Sequence, residues 1–297
     1  MRSGYQVHVG GFRTAVAGED DERDGNERPQ MPKISPLAAV DPGAEIAPDV
    51  EVGPFCVVGS DVRIGPGCRL VAHVTVMGRT TIGRDNVFYP NSVIGAPPQD
   101  LKYRGEAHSL LEIGDGNQFR EAVTLHAGTE KGGGVTRVGS NNLFMVNAHV
   151  GHDASVGSGC VLANNVMVAG HVVIGNNVVM SAGSASHHFV RISDYVFIAG
   201  YSKIHIDVPP FVKIQDDTVW DTNTVGLQRN GFGEDDISAI DDAVRRLFIS
   251  KKKPFAQAIA EFDTMNGINP HVKRLVEFLQ ERSLGRNGRY LEKFRKK

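Results

Sequence analysis

The sequence predicts a mainly β protein: a parallel β-helix of hexapeptide repeats followed by a small C-terminal α-helical domain. Three observations lead to this fold class. A large apolar residue recurs at every sixth position over most of the chain, glycine often follows it, and the apolar spacing becomes helical after Val208-Pro-Pro210. A period of six matches neither the 3.6-residue period of a helix nor the two-residue period of a strand, and it is typical of parallel β-helices.

The repeat runs in two main blocks. Apolar residues occupy every sixth position over 34–94, the period resumes at Ile113, and a new frame covers 138–204, in which Ser186 is the exception. Three hexads make one triangular coil, so residues 18 apart should stack at the strand spacing of about 4.8 Å. The large apolar residue points into the coil, and the fourth residue after it also points inward and is small.

Residues 31–208 are predicted to form the β-helix. The period is interrupted at about 100–112 and 131–137, which we interpret as inserted loops. Insertions in a solenoid project from one face, often the binding face. Residues 1–30 lack the repeat and are interpreted as a disordered extension.

Residues 209–297 are predicted to form the helical domain. Apolar spacing and start signals place its helices near Glu234, Pro254 and Pro270. The basic stretch 286–297 is interpreted as a solvated tail in preference to a docking site for an acidic partner.

Composition argues against several function classes. The net charge of −2 disfavours nucleic-acid binding, and no apolar run is long enough to predict a membrane span. Cys56, Cys68 and Cys160 each fall four places after an inward aliphatic residue, so we expect buried apolar side chains rather than metal ligands or nucleophiles. Three cysteines and the lack of a signal-peptide core indicate a cytoplasmic protein.

Histidines cluster in the second half of the repeat region: His126, His149, His152, His171, His187, His188 and His205. The coil stacks His152, Gly170 and His188 off the inward positions, so they should face solvent or a neighbouring subunit. Such imidazoles beside a glycine backbone suit general-base catalysis with an N–H that stabilises an oxyanion. They also suit a metal held by histidines of several subunits. Asp153 could orient the His152 ring if a corner brings these adjacent side chains together.

Five motifs give the chain a family resemblance: Gln99-Asp-Leu-Lys-Tyr103, Asn147-Ala-His-Val-Gly-His-Asp153, Leu162-Ala-Asn-Asn165, Ala169-Gly-His171 and Asp207-Val-Pro-Pro210. The chain resembles the UDP-N-acetylglucosamine O-acyltransferases of lipid A biosynthesis from about residue 34 through the helical region. The resemblance implies a left-handed β-helix, a homotrimer and active sites in clefts between subunits. It also implies transfer of an (R)-3-hydroxyacyl group from the phosphopantetheine arm of acyl carrier protein to the 3-hydroxyl of UDP-N-acetylglucosamine, with no other cofactor and no metal.

The resemblance further implies roles for individual residues. His152 matches the general base, Asp153 its orienting partner, and Gly170 the donor of a backbone N–H to the oxyanion. Gly200 falls where the family sets acyl-chain length. The residues that match substrate-binding positions are Asp100, Lys102, His126, His149, His171, His187, His188, Gly200, Asn223 and Arg229.

Two departures from the family pattern bear on substrate preference. His188 stands where the family commonly has glutamine, and Asn230 stands where it has a second basic residue. The acyl and sugar preferences therefore stay open, including an acceptor with a 3-amino group. Two other function classes also remain: a trimeric metalloenzyme of the γ-carbonic-anhydrase type, and a non-catalytic solenoid scaffold, which the two insertions and the clustered histidines disfavour.

Overall fold

The computed structural model describes residues 31–295 except for 106, 107, 251 and 266, so the predicted N-terminal extension lies outside the described residues. Short strands form three sheets, named here A, B and C, which the chain visits in turn. Sheet A contains Lys33–Ile34, Glu51–Val52, Arg69–Leu70, Val87–Phe88, Gln118–Phe119, Leu143–Phe144, Val161–Leu162, Val179–Met180, Phe197–Ile198, Val212–Gln215 and Thr218–Thr222. Sheet B contains Ala39–Val40, Val57–Val58, Thr75–Val76, Val93–Ala96, Thr124–His126, His149–Val150, Met167–Val168, Ala185–Ser186 and Lys203–Ile204. Sheet C contains Glu45–Ile46, Val62–Ile64, Arg79–Ile82, Leu110–Ile113, Val135–Val138, Ser155–Val156, Val173–Ile174 and Arg191–Ile192.

The strand register confirms the predicted coil. Partners in neighbouring uninterrupted coils are 18 residues apart, as in Glu51↔Arg69, up to the last parallel pair, Phe197↔Lys213, where the separation is 16. The pairing is parallel except between the last two strands of sheet A. Across the first interruption the separation is 31, as in Val87↔Gln118, and across the second it is 25. The insertions are therefore 13 and 7 residues long, as predicted. The insertions end slightly earlier than predicted, because strands already begin at Leu110 and Val135. Both insertions project from the corner between sheets B and C.

Two ladders of inward side chains fill the middle of the β-helix. Phe88, Phe119 and Phe144 stack with ring centroids 4.8 and 4.9 Å apart. Beside them the side-chain amide of Asn117 donates to Asn86 Oδ1, and that of Asn142 to Asn117 Oδ1, each at 2.9 Å. The three cysteines are buried at positions of the same kind and are unpaired, which confirms their predicted core role.

Several glycines in the repeat are needed because the next coil passes too close for a side chain, rather than because the chain turns there. A Cβ at Gly139 would be 2.6 Å from the carbonyl oxygen of Gly157, and one at Gly157 would be 2.4 Å from that of Gly175. The next coil thus approaches too closely for a side chain. The left-handed corner positions are often held by other residues, among them Asp153 and His171.

The C-terminal region begins with strands rather than helices. Val212 and Ile214 are buried while Lys213 and Gln215 are not, so residues 212–222 keep strand alternation and extend sheet A. The predicted start of the helical region at 209 is therefore too early. The helical elements are α1 (Thr224–Arg229), α2 (Glu234–Val244), its π-helical continuation (Arg245–Ile249), α3 (Phe255–Asp263), α4 (Pro270–Ser283) and a 3₁₀ helix (Leu291–Phe294). None of the described helices is long and apolar enough to cross a membrane.

Part of the basic tail packs against the last coils, so its interpretation as a solvated tail is wrong for residues 288–292, whereas residues 293–295 are exposed. Asp207 is buried; its N–H donates to Gly288 O at 2.8 Å, and its carboxylate accepts the Tyr290 N–H at 3.0 Å. Arg289 donates to His205 O at 2.7 Å. A buried carboxylate needs such donors, and the tail supplies one of them.

Candidate active site

The histidine cluster lies at the corner that follows sheet B. His152, Gly170 and His188 stand two residues after inward positions of successive sheet B strands. The His171 N–H donates to His152 O at 3.0 Å, and the Phe189 N–H donates to Gly170 O at 3.4 Å, so neighbouring corners are joined directly. The predicted stack of three coils is therefore confirmed.

The second insertion covers this corner. Thr129 donates to Asp153 Oδ1 through its N–H at 2.9 Å and to Oδ2 through its hydroxyl at 2.7 Å. A Cβ at Gly132 would be 2.2 Å from the same carboxylate. His152 is only 9% exposed. The expectation that His152 faces open solvent is therefore wrong for its side chain, whereas the expectation that it faces a neighbouring subunit stays a prediction.

His152 and Asp153 form a hydrogen-bonded pair. Asp153 has φ of 59°, and this corner conformation lets two adjacent side chains meet, which they would not do in a strand. His152 Nδ1 and Asp153 Oδ2 are 2.8 Å apart. Burial raises the pKa of Asp153, but hydrogen bonds from His152 and Thr129 outweigh it and hold this pKa below its usual range. The carboxylate only accepts, so Nδ1 carries a proton, and in the neutral imidazole Nε2 is then the nitrogen with the lone pair.

Gly170 lies against the free nitrogen of His152. A Cβ at Gly170 would be 2.8 Å from His152 Nε2. Its N–H meets no acceptor among the residues that the structure describes. The coil does not require this N–H, because the corresponding corner positions elsewhere can hold proline, as at Pro42, Pro48 and Pro66. A base and an unused N–H donor therefore lie side by side.

His171 and Phe189 continue the cluster along the same edge. The His171 ring meets the His152 ring edge to face at 5.0 Å, and Phe189 stacks on His171 at 4.4 Å with a 4° tilt. His171 Nε2 is 4.0 Å from Asp153 Oδ2. Burial lowers the pKa of both His171 and His188, so these rings are neutral near pH 7.

His126 and His149 form a second pair on sheet B, with rings edge to face at 5.1 Å. His149 Nδ1 is 2.8 Å from Thr124 Oγ1, and His126 Nδ1 is 2.8 Å from the carbonyl of Pro97, at the start of the first insertion. Burial, together with His126 and His152, lowers the pKa of His149 to about 4, and burial also lowers that of His126. The pair is thus neutral at pH 7 and presents hydrogen-bonding groups rather than charge.

Four other predicted substrate-binding residues lie at the surface. Asp100 and Lys102 belong to the first insertion, where Asp100 Oδ1 accepts the Lys102 N–H at 2.9 Å. His187 and Arg229 are exposed, the first beside His188 and the second at the end of α1. Within the described part of the chain, no hydrogen bond or ion pair joins Asp100, Lys102 or Arg229 to the histidine cluster.

Gly200 has free space beside it, whereas the side chain of Asn223 is already hydrogen-bonded within the chain. A Cβ at Gly200 would be 3.4 Å from Ala182 O, an ordinary contact, so there is space beside this corner. Asn223 is buried, with its Oδ1 accepting the Gly226 N–H at 3.3 Å and its Nδ2 donating to Tyr195 O at 2.8 Å. Its side chain caps α1 and is occupied within the chain.

Sequence reasoning missed three contributors to the site: Thr129, Thr136 and Phe189. The Thr136 hydroxyl accepts the Asp153 N–H at 2.8 Å and holds the corner in place. Phe189 stands 18 residues after His171, so the repeat could have placed it. The contact of Thr129 depends on the path of the insertion, which no local pattern predicts.

The cluster also contains three possible metal ligands. Ligand atoms of His152, Asp153 and His171 lie within 4.8 Å of one another. Asp153 Oδ2 already accepts from His152 Nδ1 and from the Thr129 hydroxyl. A metal on this oxygen would replace the hydrogen bonds that orient His152, so the geometry fits a base with its carboxylate better than a metal centre.

A hexapeptide β-helix with an oriented imidazole and an unused N–H at one corner defines a hexapeptide-repeat transferase. The model of the bacterial transferase hexapeptide family matches residues 43–78 and 136–170. The model described as UDP N-acetylglucosamine O-acyltransferase, domain 2, matches residues 207–287.

Solved structures of UDP-N-acetylglucosamine acyltransferases resemble the chain over most of its length. The enzyme of Moraxella catarrhalis is 41% identical, with 82% of this chain and 95% of that chain covered and a TM-score of 0.78. The enzyme of Acinetobacter baumannii is 38% identical, with 82% of this chain and 95% of that chain covered and a TM-score of 0.77. The enzyme of Bacteroides fragilis is 36% identical, with 83% of this chain and 96% of that chain covered and a TM-score of 0.79. The chain belongs to the UDP-N-acetylglucosamine O-acyltransferase family and has its left-handed β-helix fold. The carbonic-anhydrase alternative gains no support from these matches.

Proposed function

We propose that this enzyme transfers an (R)-3-hydroxyacyl group from acyl carrier protein to the 3-hydroxyl of UDP-N-acetylglucosamine, the first step of lipid A biosynthesis. The observation that carries the proposal is the His152–Asp153 pair beside the unused N–H of Gly170. The relatives are named for the same nucleotide sugar. The acyl group arrives on the phosphopantetheine arm of its carrier, so the reaction needs no other cofactor.

In this proposal the chemistry follows from the two nitrogen atoms of His152. Nε2 takes the proton of the acceptor hydroxyl while the hydroxyl oxygen attacks the thioester carbonyl. The Gly170 N–H donates to the resulting oxyanion. The carbon–sulfur bond then breaks, and the imidazolium returns its proton to the leaving thiolate. Asp153 stabilises the imidazolium and stays ionised throughout.

Other predicted site residues then fit roles in substrate binding. Asp100 and Lys102 would contact the acceptor sugar and nucleotide, and Arg229 suits a phosphate because its guanidinium donates several hydrogen bonds. His126, His149 and His171 present neutral rings to the substrates. The space beside Gly200 would admit a long acyl chain.

We also propose a homotrimer in which neighbouring subunits complete each site. Met167 and Val173, on sheets B and C beside the histidine corner, are exposed apolar side chains, as expected at a subunit interface. Light scattering after size-exclusion chromatography should give about three times 32.1 kDa; a monomer at micromolar concentration would contradict the assembly. The unpaired cysteines fit a reducing, cytoplasmic location.

The test is acyl transfer by His152→Ala. Loss of the general base should lower kcat by about 10²–10⁴-fold with the fold retained. Activity is measured with UDP-N-acetylglucosamine and (R)-3-hydroxyacyl carrier proteins of several chain lengths. His73→Ala is the control, because His73 is an exposed corner histidine that stacks on Phe55, away from the cluster.

Two outcomes would contradict the proposal. Near-normal turnover by His152→Ala would remove the assigned base. Loss of wild-type activity on chelation, restored by zinc, would favour the metalloenzyme alternative instead.

A further inference from the structure

The basic tail brings a charged side chain to the histidine cluster. Tyr290 is held by its N–H bond to Asp207, and its ring lies 4.5 Å from the Arg191 guanidinium. The 3₁₀ helix Leu291–Phe294 starts directly after it, and Arg295 is the residue that follows this helix. The position of Arg295 is thus fixed by contacts between the tail and the coils.

Three consecutive ring contacts connect Arg295 with the base. The Arg295 guanidinium lies 5.4 Å from the centre of the Phe189 ring. Phe189 stacks on His171 at 4.4 Å, and His171 meets His152 at 5.0 Å. Arg295 therefore stands at the edge of the same cluster, within reach of a substrate larger than the reacting groups.

Most hydrogen-bond donors of Arg295 are available. Its side chain is 60% exposed, and its carboxylate neighbour among the described residues is Glu292, 3.6 Å away. The same Glu292 oxygen is closer to Arg289, at 3.1 Å. An arginine offers five N–H donors, so one long and shared ion pair leaves most of them free.

The histidine rings nearest to Arg295 are neutral, and the ionised carboxylate of the cluster, Asp153, is buried. Burial lowers the pKa of His171 and of His188, and the nearby Arg295 adds to both effects. Near pH 7 the two rings are uncharged while the guanidinium is charged. An anion beside the cluster would therefore find its fixed positive partner at Arg295.

We propose that Arg295 binds a phosphate group of a substrate. The inference rests on the proposed function, which supplies two sources of phosphate: the diphosphate of the nucleotide sugar and the phosphate of the pantetheine arm. The guanidinium fork matches phosphate oxygens in either case. The diphosphate lies one sugar ring from the reacting hydroxyl, whereas the pantetheine phosphate lies at the far end of a long arm.

The experiment measures equilibrium binding by calorimetry, so it does not depend on turnover. UDP-N-acetylglucosamine and (R)-3-hydroxyacyl-4′-phosphopantetheine are titrated separately into wild type, Arg295→Gln and Arg295→Lys. Arg295→Gln should bind one of the two ligands about tenfold more weakly, as expected for the loss of a charged hydrogen bond at a half-exposed site. Arg295→Lys should fall in between. Lys293→Gln is the matched control, because it removes one exposed positive charge from the same short helix.

The ligand that is affected identifies the source of the phosphate. Equal weakening by Lys293→Gln, or unchanged binding of both ligands by Arg295→Gln, would overturn the inference and leave the proposed function intact. If wild type binds neither ligand, the proposed function fails and this inference fails with it.

Discussion

Gly170→Ala is the sharpest single test of the arrangement around His152. The added Cβ would lie 2.8 Å from Nε2, whereas ordinary contacts begin near 3.4 Å, so the ring must move by about 0.6 Å. The ring is held on its other side by the 2.8 Å bond to Asp153 and cannot move without lengthening it. Since a displacement near 1 Å can cost about 10²-fold in rate, we expect kcat to fall by about 10- to 100-fold.

The assay compares kcat with the free energy of unfolding from urea titrations. Gly170 does not have a positive φ, so alanine should change stability by less than about 1 kcal/mol. Gly59→Ala is the control, because a Cβ there would be 3.6 Å from its nearest neighbour atom, Met77 Cα. Wild-type kcat in Gly170→Ala would refute the reasoning, since the ring would then tolerate the added methyl group.

Two further predictions concern stability. Asn117→Ala interrupts the buried amide ladder and leaves the side chains of Asn86 and Asn142 without these partners. The free energy of unfolding from urea titration should therefore fall by about 2–3 kcal/mol. The control, Asn164→Ala at an exposed position, should change it little, and equal losses in the two variants would contradict the role of the ladder. His149 has a folded pKa of about 4, below its ordinary 6.5. As pH falls from about 6.5 to 4, the unfolded chain takes up a proton that the folded chain does not, so stability falls. His149→Gln should lose less stability over this window in urea titrations at several pH values; parallel profiles would contradict the shift.

The repeat makes much of the fold predictable, because its period converts sequence distance into spatial distance. The 18-residue coil by itself predicts the stack of His152, Gly170 and His188, and it predicts that the cysteines lie in the core. It also predicts the lengths of both insertions, since a frame shift counts the added residues. These features follow directly from the regular coil, because one short repeat fixes the position of every residue in it.

The remaining features depend on contacts between segments that the repeat does not relate. Thr129 reaches Asp153 because the second insertion folds back on the corner, and the tail packs because Asp207 needs donors. Neither contact has a local signal in the sequence. The strands at 212–222 escape prediction for a simpler reason: their alternation is short and follows two prolines that resemble the end of the β-helix.

The corner geometry shows why this fold can support catalysis at one place among many similar ones. Pro42 and Pro66 show that a coil corner needs no N–H at the position of Gly170. At some other corners a side chain of the next coil accepts this N–H, as Ser158 Oγ does from Ser140, but Gly170 has no such partner among the described residues. What distinguishes the corner of His152 is the insertion that covers it. By burying Asp153 and supplying it with donors, the loop fixes an ionised carboxylate on Nδ1 and leaves Nε2 beside the donor. The repeat supplies the oxyanion donor, and the interruption of the repeat fixes the orientation of the base.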